Sequence, residues 1–141
     1  MKFTVHMPPV AKARARTIVR AGKVHSFTPR TTEKAEWEIR QAIILAAGSG
    51  AAIHKPTPIW LTVAFFLPRP KSLSRRVKLP VSRPDLDNLV KTVKDALKGY
   101  AWDDDSQVTT LAAQKHFGSP PRIDIYIVTD LEEHEHGVDR D

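Results

Sequence analysis

Residues 83–99 read Arg-Pro-Asp-Leu-Asp-Asn-Leu-Val-Lys-Thr-Val-Lys-Asp-Ala-Leu-Lys-Gly, and their apolar positions recur at helical spacing. This pattern predicts a helix from about Leu86 to Lys98, which packs one face on a core and ends at Gly99. Asp87, Lys91 and Asp95 are spaced four residues apart, so they line a different face of the same helix. The apolar stripe consists of Leu86, Leu89, Val90, Val93 and Leu97.

The acids at the start of this helix have two interpretations. Asp85 precedes the first turn and Asp87 lies within it, positions where an aspartate commonly caps a helix or opposes its dipole. In that case Lys91 forms only solvated ion pairs with its neighbours one turn away. Alternatively, the two carboxylates and Lys91 belong to a reactive site, in which Lys91 stabilises negative charge that grows on a phosphate.

A second acidic group favours the site. Asp103, Asp104 and Asp105 follow Trp102 directly, a short distance past the helix end. Three adjacent like charges repel one another, and a bound divalent cation removes that repulsion. A helix of about 18 Å separates this triplet from Asp85 and Asp87. The two groups meet only if the chain folds back after Gly99 or if they face each other across a dimer interface.

The charge distribution indicates a polyanionic partner. The chain carries a net charge of +6, yet residues 130–141 hold six acids against Arg140 alone. Removing that segment's charge of −5 leaves +11 on the remaining residues, which is typical of proteins that bind nucleic acid. A carboxylate cluster within a basic surface suits a nuclease, because the basic residues hold phosphates and metal ions neutralise the acids.

Composition also limits the metal and the compartment. Cysteine is absent, so oxygen or imidazole must hold any metal, and oxygen favours Mg²⁺ with Mn²⁺ as a substitute. No apolar run approaches the roughly 20 residues that span a bilayer. The first residues lack the apolar stretch of a signal peptide. We therefore expect a cytosolic protein with no membrane partner and no organic cofactor.

The rest of the chain predicts a single α+β domain over residues 1–129, followed by an acidic tail over 130–141. A small mixed sheet and two main helices are expected. The first helix starts between Pro29 and Thr32, with Thr31 or Thr32 as its cap, and ends at Gly48. Strands are expected at 2–7, at 17–19 and 24–27 as a hairpin, at 59–67 with both faces buried, and at 108–114 and 123–128.

Basic residues outside the helix are candidates for DNA contact. If the segment after Val10 is extended, Lys12, Arg14 and Arg16 share one face. Residues 67–83 are rich in proline and basic residues, and they predict an exposed, mobile loop. A single residue of this kind is more often an ordinary surface charge, and Lys115 is also explained as an edge-strand charge that discourages aggregation. The DNA-contact candidates are Arg14, Arg16, Arg69, Lys71, Arg75, Arg76, Lys78 and Lys115.

Two motifs in this order and spacing resemble the RusA family of Holliday-junction resolvases, which phages and prophages often carry. The first motif is Arg83-Pro84-Asp85-Leu86-Asp87-Asn88-Leu89-Val90-Lys91, continued by Asp95-Ala96-Leu97. The second is Trp102-Asp103-Asp104-Asp105-Ser106-Gln107-Val108. The match is clearest over residues 80–128. Near the N-terminus, Ala15 stands where the phage branch of the family usually has proline.

The resemblance implies a magnesium-dependent α+β homodimer. It implies that Asp85, Asp87 and Asp105 are the essential carboxylates and metal ligands, with Asp104 beside them, and that Lys91 is the active-site lysine. The family motif has two acids before Ser106, so Asp103 is additional here, and Asp105 ranks first as a ligand. Two symmetric cuts in a four-way junction need two active sites related by a two-fold axis, which fits a dimer.

The expected function is therefore metal-assisted hydrolysis of phosphodiester bonds in Holliday junctions during DNA recombination and repair. One alternative is a nuclease of the same chemistry that acts on forks or flaps. Another is a branched-DNA-binding protein without catalysis, and a third is a structural protein whose acids are caps and surface charges. We expect Trp37, Trp60 and Trp102 in the core or an interface, with Trp102 the strongest candidate for base stacking.

Overall fold

A computed structural model describes residues 1–50 and 52–129, and the acidic tail lies outside this range. The described chain is α+β with two helices, as the sequence predicted. A short 3₁₀ turn at Asp105–Gln107 follows the second helix. The elements are β1 (Lys2–Val5), β2 (Arg16–Arg20), β3 (Lys23–Phe27), α1 (Arg30–Ala47), β4 (Ile59–Leu67), α2 (Leu86–Leu97), β5 (Val108–Phe117) and β6 (Arg122–Thr129).

Four strands form a mixed sheet in the order β1-β6-β4-β5. The pair β4 and β5 is parallel, while β6 runs antiparallel to both β4 and β1. The parallel pair requires a long crossover, and the loop before α2 and α2 itself provide it. Helices α1 and α2 pack together on one face of the sheet, and the core lies between the helices and that face.

The prediction that both faces of β4 are buried was wrong. Its residues alternate, so that Leu61, Val63 and Phe65 are buried against the helices, whereas Thr62 is exposed and Phe66 only half-buried on the other face. An apolar run by itself does not reveal which face a helix covers. Both helices lie on one side, so the second face of the sheet is left open in the monomer.

Helix α1 begins differently from the prediction. Pro29 occupies the cap position and the helix starts at Arg30, with no side-chain cap bond. Thr32, a predicted cap, is instead fully buried, and its hydroxyl oxygen accepts a hydrogen bond of 3.4 Å from the backbone NH of Ala13. Thr31 is exposed within the first turn. The hydroxyl of Thr32 therefore ties the N-terminal segment to α1.

The chain folds back after α2, which settles the question left open by the sequence. Gly99 adopts a φ of 80°, a conformation that favours glycine. Its backbone NH donates to the carbonyl of Trp102 at 2.6 Å, closing a tight turn. Trp102 is then fully buried in the core. Because this large ring is buried, residues 103–105 lie back along α2. The same burial prevents Trp102 from stacking on a base.

Strands β2 and β3 form the predicted hairpin, separate from the main sheet. Ala21 and Gly22 form its two-residue turn, with φ values of 50° and 74°. Two positive φ values are typical of the turn that matches the twist of a hairpin. Every residue of both strands is exposed.

Among the residues that the structure describes, no helix is long and apolar enough to cross a membrane.

Candidate active site

A cleft of about 780 Å³ lies between α2 and β5. Asp87, Lys91 and Asp105 all line it, although Asp87 and Asp105 are 18 positions apart in the chain. Two sequence-predicted site residues and the predicted lysine are therefore brought together within one chain, without a dimer interface. The remaining lining consists of Leu86, Val90, Leu111, Ala113, Lys94 and Asp95.

The start of α2 presents two exposed carboxylates. Asp85 occupies the cap position in extended conformation, but its side chain makes no capping hydrogen bond. Asp87 follows within the first turn. The capping interpretation of Asp85 is therefore not realised in the structure. Asp85 lies one residue outside the lining of the cleft, which begins at Leu86.

Lys91 lies one turn after Asp87 and is exposed. Within residues 1–50 and 52–129, it forms no ion pair with Asp87 or Asp95, contrary to the surface-pair interpretation. Asp95 instead pairs with Lys12, at 3.1 Å between Nζ and Oδ2. The ammonium of Lys91 and the carboxylate of Asp87 are thus not neutralised by each other, and both face the same cleft.

Asp105 is held by a buried donor. The Nε1–H of Trp102 donates to its Oδ1 at 2.9 Å, and the carboxylate is half-buried. Trp102 is itself 0% exposed, so the surrounding core fixes the position of this donor. The hydrogen bond orients the Asp105 carboxylate, and Asp105 also lines the cleft. Nothing in the spacing of the sequence indicated this contact.

Asp104 has a structural role in the turn. Its carboxylate accepts hydrogen bonds from the backbone NH and hydroxyl of Ser106, and it pairs with Lys98 at 3.2 Å. The hydrogen bonds from Ser106, then the one from Lys98, lower the pKa of Asp104 well below its usual range. As a metal ligand Asp104 is therefore less suited than Asp105, since its oxygens are already used.

Asp103 contacts residues that do not line the cleft. Its carboxylate accepts from the backbone NH of Lys55 at 3.0 Å and contacts Nδ1 of His54 at 3.1 Å. These contacts, the Lys55 bond first, lower the pKa of Asp103. Asp103, the additional acid of the second motif, is therefore not among the residues that line the cleft with Asp105.

Gln107 holds the acidic turn together, a role that the sequence analysis missed. Its side chain is 6% exposed, and Oε1 accepts from the backbone NH groups of Asp103 and Asp104. Its Nε2 donates to the carbonyls of Ile53 and Thr57. The spacing of Asp104 and Gln107, three residues apart, is the sequence signal of such a capping box.

The divalent-metal hypothesis is compatible with this donor set. No group of three or more Asp, Glu or His side chains surrounds a common point in the described part of the chain. Mg²⁺, however, commonly binds through one or two carboxylates and completes its shell with waters and substrate phosphates. Asp87 and Asp105 in an open cleft, with Asp85 at its rim, fit that mode.

Lys115 supports the segment that leads into α2. Its Nζ donates to the carbonyls of Ser82 at 3.0 Å and Pro84 at 2.9 Å. The ammonium is thereby directed at the backbone next to Asp85 and is half-buried. Lys115, predicted as a DNA-contact candidate, therefore uses its hydrogen bonds to position the chain before Asp85.

The other basic candidates divide into two groups. The guanidinium of Arg69 donates to the carbonyls of Ser74 and Val77 and lies 5.0 Å from the ring centre of Phe117. It therefore stabilises its own loop, which contains ordered turns. The candidates whose side chains are exposed and thus available to a partner are Arg14, Arg16, Lys71, Arg75, Arg76 and Lys78.

Lys12 does not share an exposed face with Arg14 and Arg16. Its Nζ turns inward to Glu36 at 2.6 Å and to Asp95. Burial lowers the pKa of Lys12, but the hydrogen bonds to both carboxylates, and their attraction, more than compensate and raise it above its usual value. Lys12 thus ties the N-terminal segment to both helices, because Glu36 belongs to α1 and Asp95 to α2.

Comparisons with known proteins identify the family of this chain. The family model described as endodeoxyribonuclease RusA matches residues 6–128. The chain is 35% identical over 142 positions to the uncharacterized protein YqaN of Bacillus subtilis (strain 168), covering 90% of this chain and 94% of that protein. It is 40% identical over 75 positions to the crossover junction endodeoxyribonuclease rusA of Lactococcus phage r1t, covering 52% of this chain and 56% of that protein. The protein therefore belongs to the RusA family of endodeoxyribonucleases.

Proposed function

We propose that this protein is a magnesium-dependent endonuclease that resolves Holliday junctions by paired, symmetric cuts during recombination and repair. The observation that supports it most is the convergence of Asp87, Asp105 and Lys91 in one cleft of a RusA-family chain. The partly matching phage relative is named for crossover junctions. Both relatives come from a bacterium or a phage, and we propose the bacterial cytoplasm as the place of action.

Asp87 and Asp105 would hold the metal, and Asp85, next to the cleft in sequence, would be a further ligand. Bound Mg²⁺ supplies Lewis-acid chemistry and lowers the pKa of a coordinated water. Asp104 is the least suitable of the four proposed ligands, because Ser106 and Lys98 already occupy its carboxylate. Mn²⁺ has the same preference for oxygen ligands and is expected to substitute.

The protein side chains have separate tasks in this proposal. Lys91 would attract a non-bridging phosphate oxygen and stabilise the charge that develops on it, an electrostatic effect that is large where water is excluded. Leu86, Val90 and Leu111 contribute apolar side chains to the lining of the cleft. Trp102 keeps the Asp105 carboxylate in one orientation.

Junction specificity and the homodimer rest on the family and on symmetry. A four-way junction has two-fold symmetry, and opposed cuts require two cleavage centres in matching orientation. One chain contributes one cleft with Asp87 and Asp105. We therefore propose that two chains associate and that each cuts one strand.

The test is a gel assay with a synthetic four-way junction, a fork, a flap and a linear duplex of the same sequence. Wild type and Asp87→Asn are compared in Mg²⁺ and in EDTA. Paired cuts in the junction that require Mg²⁺ and disappear in Asp87→Asn support the proposal. Preferential cutting of forks or flaps would reassign the substrate. Junction binding without any cutting in Mg²⁺ or Mn²⁺ would contradict catalysis.

A further inference from the structure

The β2–β3 hairpin, residues 16–27, has no packing partner within the described chain that would explain its composition. All ten strand residues are exposed, including large apolar side chains such as Ile18 and Phe27. A two-stranded hairpin is only marginally stable by itself in water. The stretch from Met1 to Thr32 contains seven lysines and arginines and no acid. An exposed, basic ribbon of this kind is a candidate binding element.

The hairpin has two chemically different faces. Residues paired across the strands share a face, and the register pairs Arg16 with Phe27, Ile18 with His25 and Arg20 with Lys23. All charged residues of the hairpin therefore lie on this one face. The opposite face carries the neutral pairs Thr17 with Ser26 and Val19 with Val24.

The basic face contains an unfavourable pair. Arg20 and Lys23 are directly opposite each other at the turn end, and like charges in such positions destabilise a hairpin. In the described part of the chain, Arg16, Arg20 and Lys23 form no ion pair with an acid. A polyanion bound across this face would relieve the repulsion and use all three charges.

The hairpin is anchored beside the candidate active site. The backbone NH of Lys12 donates to the carbonyl of Asn88 at 2.9 Å, and Asn88 directly follows Asp87. The ion pairs from Lys12 to Glu36 and Asp95 fix the same segment to both helices. The second strand leads through Pro29 directly into α1. Lys12, four positions before the hairpin, is thereby held next to the turn of α2 that carries Asp87.

We propose that the β2–β3 hairpin is a DNA-binding arm, whose basic face contacts phosphates of the duplex beside the cleaved bond. The inference rests on the proposed function and adds the surface that holds the substrate. Arg20 is eight positions after Lys12, so it lies at most about 29 Å from the anchor. That distance is less than one turn of duplex DNA, about 34 Å. A two-stranded ribbon also fits the width of the major groove.

The test measures the salt dependence of junction binding in EDTA, where no cleavage occurs. The variant Arg16→Gln/Arg20→Gln/Lys23→Gln neutralises the basic face, and Val19→Thr/Val24→Thr alters only the neutral face. Each phosphate contact contributes about 0.9 to the slope of log affinity against log salt. Loss of three contacts makes the slope less steep by about 2.7. The affinity ratio between wild type and the basic-face variant then shrinks about 40-fold between about 50 and about 200 mM salt.

The outcomes separate this inference from the proposed function. An unchanged slope in the basic-face variant, with a wild-type melting temperature, would overturn the inference. The inference would also be overturned if Val19→Thr/Val24→Thr dissociates an oligomer while the basic-face variant keeps the wild-type slope. The hairpin would then contact another subunit and not DNA. If the triple variant does not fold, Arg20→Gln alone should lower the slope by about 0.9. Loss of slope in a protein that never cuts in Mg²⁺ would support the arm and contradict only the nuclease.

Discussion

Replacing Trp102 by Phe removes one hydrogen bond from the candidate active site while an aromatic ring stays in the core. The indole Nε1–H is the donor to Oδ1 of Asp105, at 2.9 Å, and Phe has no such donor. The Asp105 carboxylate then loses the contact that fixes its orientation. We expect a loss of stability and, separately, a loss of metal-dependent cleavage.

The stability change can be worked from the structure. A hydrogen bond to a charged group contributes about 1.5–3 kcal/mol. Asp105 is half-buried, so water replaces part of this bond and the lower value applies. The smaller ring leaves a void at a fully buried position, which costs about 1 kcal/mol more. The free energy of unfolding should therefore fall by about 2.5 kcal/mol, within the 5–15 kcal/mol typical of a folded domain.

The catalytic change follows from the position of the lost donor. Removing a residue that orients a metal ligand typically lowers metal affinity or activity by 10–100-fold. Trp102→Phe should therefore cut a four-way junction about 10–100-fold more slowly at limiting Mg²⁺, with part of the rate restored at high Mg²⁺. Urea unfolding gives the stability, and single-turnover cleavage across a Mg²⁺ titration gives the activity.

Trp37→Phe is the matched control, because Trp37 is 59% exposed on α1 and should change neither property. Wild-type cleavage and Mg²⁺ dependence in Trp102→Phe, despite lower stability, would refute the reasoning. Trp102 would then be a core residue whose bond to Asp105 has no influence on the metal.

Three further predictions concern the surrounding contacts. Lys115→Met should slow junction cleavage more than Lys115→Arg does, since only the arginine can still donate to the carbonyls before Asp85; equal rates for both would contradict this role. Lys12→Met should lower the free energy of unfolding at pH 7 by about 3 kcal/mol, because buried Glu36 loses its closest cation. The pKa of Lys12 is raised in the fold, so the charge-dependent part of this contribution is complete below the unfolded pKa of about 10.4 and disappears as pH rises through the folded value; urea unfolding at pH 7 and pH 11 tests it. The pKa of Asp104 is lowered in the fold, so its contribution exists above the unfolded value of about 3.9 and is lost as pH falls below it; Asp104→Asn should show a smaller loss of melting temperature between pH 5 and pH 2 than wild type.

The helix and its acids could be predicted because their signals are local. The apolar stripe of α2 and Gly99 after it predicted the end of the helix to within one residue of the observed end at Leu97. The positions of Asp85 and Asp87 follow from that helix alone. The hairpin was also a local prediction, since a glycine between two short β-prone runs is sufficient to indicate it.

The meeting of Asp87 and Asp105 could not be predicted, because it depends on tertiary packing. The sequence left a fold-back and a dimer interface equally open. In the structure, the turn at Gly99 and the burial of Trp102 fold the chain back along α2. Which of several aromatic residues enters a core depends on all the other packed side chains, and Trp37, also expected in the core or an interface, is mostly exposed in the monomer.

The sequence also did not indicate which groups the basic side chains contact. Lys12 and Arg69 looked like exposed basic residues beside their neighbours, yet one is paired with Glu36 and the other with loop carbonyls. Charge spacing does not reveal which cations the fold itself uses. In contrast, the spacing of Asp104 and Gln107 is a capping-box signal in the sequence. It distinguishes Asp104, as a capping residue, from Asp105.

The most direct test of the account compares Asp105→Asn with Asp103→Asn, two substitutions of the same kind only two residues apart. Single-turnover cleavage of a four-way junction is measured across a Mg²⁺ titration. Because Asp105 lines the cleft and Asp103 contacts His54 and Lys55 outside it, Asp105→Asn should abolish cutting, whereas Asp103→Asn should cut like wild type. Full activity in Asp105→Asn, or an equal loss in both variants, would contradict the claim that Asp87 and Asp105 form one metal-dependent centre.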